Sequence, residues 1–294
     1  VNLDSASFGC CPRPVLDSRA EWEQEVQYDP VVWRFKSLNF RIMEASAKMA
    51  HMIQADPSDV SWVINTAMGI STVIKSQPWR VGDRILLLSC SFPLTQAAAK
   101  GAAAQFGLEV VSVDVTFPCT DDQILSWIQA KLDQLSGFTP KLACMPHVTL
   151  DGWPLPAKKI VKLFHKFGVQ VLIDGTMAVG HIDVNIGNLA ADFYMASVDR
   201  FLYAPQGVGF MVVNPHKKAG IFPLTVSYFK GQGYEKEFSY TGLQDFSTYI
   251  AVMQSLEFID KFCGGLQAIK RYCFSLAKDM VQILQQKWNT RAIQ

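Results

Sequence analysis

An alternation constrains this chain more than any other feature. From residue 56 to about 213, apolar runs of strand length alternate with segments of helical periodicity. Residues 60–64, 84–89, 108–114, 141–147, 169–174, 191–197 and 207–213 read as strands. Between them, 65–76, 94–106, 121–135 and 155–167 read as helices; Ile124, Ile128, Leu132 and Leu135 mark the apolar face of the third. Such βα alternation predicts an α/β fold: a three-layer sandwich whose mainly parallel sheet is covered by helices on both faces. In that architecture ligands gather at the carboxyl ends of the strands. After residue 240 the pattern turns mostly helical, over 245–262 and 266–287, with a break at Gly264–Gly265.

Composition narrows the function classes. The 294 residues carry a net charge of +1 with no large basic cluster, so no nucleic acid is expected as partner. The longest apolar runs, 85–88 and 208–213, are far too short to span a bilayer, so no membrane is expected either. No signal peptide is legible at the N-terminus. The 7 cysteines are scattered without metal-ligand spacing. They predict a reduced, cytoplasmic setting and no metal site. Both ends read as cut, Val1 replacing a Met and Gln294 following directly on a helical stretch, as in a piece of a longer product.

Three segments carry candidate chemistry. Ile64-Asn65-Thr66-Ala67-Met68-Gly69 follows a strand and opens a helix. Its free amides and the helix dipole suit a phosphate, although Asn65 could equally be an ordinary N-cap. The run Val171 to His181 is an apolar strand ending in Asp174, followed by small residues. A carboxylate at that edge could keep a pyridine nitrogen protonated, or merely cap the next turn. The third runs from Ala191 through Ser197, Asp199, Arg200, Phe201 and Leu202 to Phe210. No Gly-x-Gly-x-x-Gly follows the first strand, which argues against a nicotinamide site.

In this order and spacing the three segments resemble the class V aminotransferase family of fold-type I pyridoxal-phosphate proteins, most closely its isopenicillin N epimerase-like subgroup of desulfurase and C–S lyase relatives. The resemblance extends to the opening, Asn2 to Gly9, and to Pro146-His147-Val148-Thr149 with Gly152 and Pro154. It extends also to Tyr240-Thr241-Gly242-Leu243-Gln244-Asp245, similar to a loop that reaches a phosphate across a dimer interface. It implies pyridoxal 5'-phosphate as cofactor, an amino-acid-like substrate and a homodimer. Carried over residue by residue, Asn65, Thr66, Ala67 and Ser197 would hold the phosphate. Phe92 would cover the ring, and Thr149 and Asp174 would address its oxygen and nitrogen. The implied organisation is an N-terminal arm over 1–30, a large domain over 31–245, and a helical segment over 246–294 leading into a small domain largely absent from this chain.

One position breaks the pattern. The family's His-Lys, whose lysine forms the Schiff base, aligns with Asp199-Arg200, a register held by Phe201, Leu202, Pro205, Gly207 and Gly209. An arginine stays protonated and cannot form an imine. Met177 and Leu243 also depart from the family's residues, and the nearest lysines, Lys217 and Lys218, lie beyond the next strand. Arg200 could bind an anion in the pocket, or pair with Asp199 or Asp174 and fill the space. His147 and His181 are candidate acid–base groups or satisfied structural residues. Three function classes stay open: a non-catalytic pseudoenzyme, an enzyme holding the cofactor without a covalent link, and an epimerase, lyase or desulfurase using another base such as His147.

Overall fold

The computed structural model describes residues 4–135 and 137–291 and turns every strand-length run into a strand. These are β1 (Val60–Val63), β2 (Arg84–Leu88), β3 (Glu109–Val113), β4 (Leu142–Pro146), β5 (Gln170–Asp174), β6 (Phe193–Ser197) and β7 (Gly209–Val213). Among the described residues they form one 7-stranded sheet of order β1-β7-β6-β5-β4-β2-β3. The β2–β3, β2–β4, β4–β5 and β5–β6 pairs are parallel, whereas β7 runs antiparallel to both β1 and β6. Every strand except β7 therefore delivers its carboxyl end to the same edge.

The pleat splits the core into two. Leu86, Leu88, Ala143, Met145, Val171, Ile173, Tyr194 and Phe210 face one side; Ile85, Leu87, Leu142, Cys144, Leu172, Phe193 and Met211 face the other. Successive side chains point to opposite faces, so strands that are apolar throughout need helices on both. On the first side pack helix Asp121–Gln134, through Ile124, Ile128 and Leu132, and helix Ala157–Lys166, through Ile160, Val161 and Phe164. On the second pack Thr66–Ser76, through Ile70, Val73 and Ile74, and Pro93–Phe106, through Ala99 and Ala102. Each fully buried Ile, Leu or Phe contributes roughly 1.5–3 kcal/mol. The expected three-layer α/β sandwich is what forms.

The segment read as an arm holds helix Arg13–Tyr28, and helix Leu38–Ile53 adds Met49 and Ile53 to the first core. Asn2 and Leu3 lie outside the described residues. The expected helix over 245–262 forms as two, Ser247–Ile250 and Val252–Cys263, and Leu266–Trp288 follows with no residue buried. No helix among the described residues is long and apolar enough to cross a membrane. No group of three or more His, Cys, Asp or Glu among them could hold a metal ion.

Candidate functional site

At the carboxyl edge of the sheet lies a cavity of about 200 Å³. Asn65, Thr66 and Ala67 from the turn after β1 line it, with Phe92 and Thr95 after β2, Asp174 and Thr176 after β5, and Ser197 and Arg200 after β6. Seven of the nine site residues expected from the sequence thus meet on one cavity wall. His147 and Thr149 are the exceptions and are not among its lining residues.

The turn after β1 works as the sequence suggests. Asn65 accepts a hydrogen bond from the Met68 amide at 2.8 Å, which caps helix Thr66–Ser76. The Thr66 amide donates to Ser197 Oγ at 3.3 Å, while the Ala67 amide has no protein acceptor among the described residues. The Thr66 hydroxyl lies 2.6 Å from the Thr176 hydroxyl and 3.0 Å from that of Ser197. Hydroxyls and open amides at a helix N-terminus, all facing a cavity, form a cradle for an anion.

Asp174 ends β5 on the same sheet face as Leu172 and is 6% exposed. Burial pushes its carboxyl above the ordinary value; hydrogen bonds from Thr176 and Thr95 and the nearby Arg200 charge oppose the shift. The Thr176 amide donates to Oδ1 at 3.0 Å and the Thr95 hydroxyl to Oδ2 at 3.3 Å. Such a carboxylate, held by two donors in an apolar wall, favours a cationic or N–H partner.

Arg200 lines the cavity, its guanidinium carbon 5.8 Å from the centre of the Phe92 ring. Nη1 donates to the Ala6 carbonyl at 2.7 Å and to Met177 Sδ at 3.3 Å. Neither Asp174 nor Asp199 forms an ion pair with it, so the space-filling pairing considered from the sequence does not form. Asp199 Oδ1 is itself buried without a hydrogen-bond partner among the described residues. The N-terminal segment closes over this loop: a Cβ on Gly9 would stand 1.9 Å from the Asp199 carbonyl oxygen. Among the described residues no lysine lines the cavity; Lys217 pairs with Asp192 and Lys218 with Asp59.

His147 is buried behind the wall, its Nδ1 3.0 Å from the Tyr194 hydroxyl. Burial pulls its pKa down to about 4, so the imidazole is neutral at ordinary pH. The Thr149 hydroxyl accepts from the Trp153 amide at 3.0 Å, which closes the turn that begins at β4's end. His181 stacks on Phe201 and its Nδ1 lies 3.1 Å from the Met177 carbonyl oxygen, away from the cavity lining. Sequence reasoning passed over Thr95, Thr176 as a hydroxyl partner of Thr66, and Tyr194. Thr176 was legible in outline, two residues past Asp174; the Tyr194 contact crosses between strands and has no local signature.

Comparison with known proteins places this geometry. The profile described as Aminotransferase class-V matches residues 1–293. A probable chloroplastic L-cysteine desulfhydrase of Arabidopsis thaliana is 27% identical over 99% of this chain and 65% of its own length. Hercynylcysteine sulfoxide lyase of Schizosaccharomyces pombe is also 27% identical, over 100% of this chain and 76% of its own. The chain spans 65% and 63% of the length of the first two curated relatives it matches. Among solved structures, a C-DES mutant with glycine covalently linked to its PLP cofactor superposes with a TM-score of 0.80 at 19% identity, covering 97% of this chain and 75% of that one. An apo cysteine desulfurase from Thermococcus onnurineus gives a TM-score of 0.77 at 18% identity, covering 96% and 72%. At that identity the likeness shows the fold, and the profile match over nearly every residue shows the rest: the chain belongs to the class V aminotransferase family.

Proposed function

We propose that this chain holds pyridoxal 5'-phosphate non-covalently, with Arg200 standing where the family's Schiff-base lysine stands, so that the amino-acid chemistry of the family is altered or lost. The observation that carries this reading is the cavity lining, which includes Arg200 and no lysine among the described residues. The rest of the lining fits the cofactor. The open Ala67 amide, with Asn65, Thr66 and Ser197, suits the phosphate; Asp174 suits a protonated ring nitrogen; Phe92 suits the ring face. When bound, this cofactor supplies an electron sink for charge developing at an amino-acid α-carbon.

The protein groups then set limits. Asp174, buried and held by Thr95 and Thr176, would keep the ring nitrogen protonated. Arg200 cannot give up its proton at working pH and so cannot serve as the base. His147, off the cavity wall and bonded to Tyr194, would have to turn inward to take that role. The Thr149 hydroxyl accepts from the Trp153 amide and keeps its own O–H to donate, but it does not line the cavity.

A second reading, an active desulfhydrase or C–S lyase acting on a cysteine-like amino acid through another base, draws support from the relatives' names. A non-catalytic pseudoenzyme is the third. The expected homodimer belongs to the same proposal, supported by the outward-facing loop carrying Leu243, 85% exposed, and by exposed Tyr28, Val31 and Phe35. So does the cytoplasmic setting.

The test is an absorbance titration with pyridoxal phosphate, followed by borohydride reduction and intact mass, on wild type and Arg200→Lys. Wild type should bind saturably without a mass adduct, and Arg200→Lys should gain one phosphopyridoxyl unit. An adduct on wild type would overturn the non-covalent reading. No spectral change in either protein would remove the cofactor site altogether.

A further inference from the structure

Arg200 is a cation with an unusual set of partners. Nη1 is bonded to two neutral acceptors, a carbonyl and a thioether, and the flat face lies toward Phe92. A guanidinium has five N–H donors in a rigid fork matched to carboxylates. Here Nε and Nη2 make no hydrogen bond to any described residue, and among the described residues no carboxylate lies within ion-pair distance, Asp174 and Asp199 acting on the charge only from farther away. A part-buried guanidinium facing a cavity without a directly bonded carboxylate favours a ligand that brings one.

The same cavity offers two further poles. One is the donor cradle of Thr66, Ala67 and Ser197; the other is the Asp174 carboxylate. Its walls thus call for an anion at the helix N-terminus, a cation or N–H at Asp174, and a second anion at Arg200. Pyridoxal phosphate alone satisfies the first two and leaves the third unmet.

Resting on the cofactor reading above, we infer that the preferred ligand is a phosphopyridoxyl–amino acid conjugate, amine already joined to the cofactor, whose carboxylate is bound by Arg200. The position that would tether free cofactor instead recognises the amino-acid half of a preformed conjugate. A carboxylate entering the fork competes with the Ala6 carbonyl for Nη1 and is the stronger acceptor, because it is charged.

The experiment measures dissociation constants by isothermal titration calorimetry for three stable ligands. These are pyridoxal phosphate, reduced phosphopyridoxyl-L-alanine, and phosphopyridoxyl-ethylamine, which differs from the second only by the missing carboxylate. On wild type, the alanine conjugate should bind about 10- to 100-fold more tightly than the ethylamine conjugate, the range for a charge-assisted hydrogen-bonded pair. On Arg200→Gln that ratio should fall to near one while the ethylamine conjugate still binds. Equal binding of the two conjugates to wild type would overturn the inference and leave the cofactor reading standing. A ratio that survives Arg200→Gln would assign the carboxylate to another residue and overturn it too. Failure of all three ligands to bind would overturn both.

Discussion

Gly175 sits between Asp174 and Thr176, and its missing Cβ is a steric requirement. A Cβ there would stand 2.1 Å from the Tyr194 hydroxyl oxygen, 2.2 Å from Cζ and 2.3 Å from Cε1. Carbon contacts are comfortable only near roughly 3.5–4 Å, so the ring would have to move by more than about 1 Å. Tyr194 is 1% exposed, stacked on Phe210 and bonded to His147, and has nowhere to go without repacking. Gly175→Ala should therefore incur an overpacking cost of about 1–3 kcal/mol. Displacing the hydroxyl should cost about 1–3 kcal/mol more, because a buried ring nitrogen of His147 loses its partner. The expected loss is about 2–5 kcal/mol, read from urea unfolding followed by circular dichroism. Tyr194→Ala empties the disputed space, and in that background Gly175→Ala should cost less than about 0.5 kcal/mol. If Gly175→Ala loses under about 1 kcal/mol alone, or the same amount in both backgrounds, the steric argument is wrong.

His147, 6% exposed, has its pKa lowered from 6.5 to about 4 by burial, so it is neutral in both folded and unfolded chains above that upper value. As pH falls below it the unfolded chain takes up the proton first, so stability present at neutral pH is lost toward pH 4, by roughly 3 kcal/mol. His147→Gln should remove that share of the acid sensitivity in unfolding experiments at several pH values; identical slopes for the two proteins would refute it. Thr120 and Gln123 form a reciprocal capping box at the start of helix Asp121–Gln134. Thr120→Ala should lower stability by about 1 kcal/mol without changing cofactor affinity, and a change in affinity would contradict its remote position.

The layers, and the edge at which a ligand can sit, follow from local pattern alone. The continuous apolar runs of β4 and β5 and the 3.6 period in Asp121–Gln134 are local properties, set by which side chains must leave water. The N-cap at Asn65 and the strand-end position of Asp174 are equally local, so the site's anchor points were legible in one dimension. Helices Arg13–Tyr28 and Leu38–Ile53 were not, because the first buries only Val15 and Ser18 and so shows little apolar stripe. Which of the expected residues share a wall was decided in three dimensions. His147 and Thr149 stand beside the cavity residues Pro146, Val148 and Leu150 in the chain, yet the pleat and the turn after β4 give their polar atoms to Tyr194 and Trp153. Arg200 likewise reads in sequence as a cation beside two acids. Only packing, with Ala6 brought 194 residues along the chain to Nη1, leaves it without a directly bonded carboxylate among the described residues and facing the cavity.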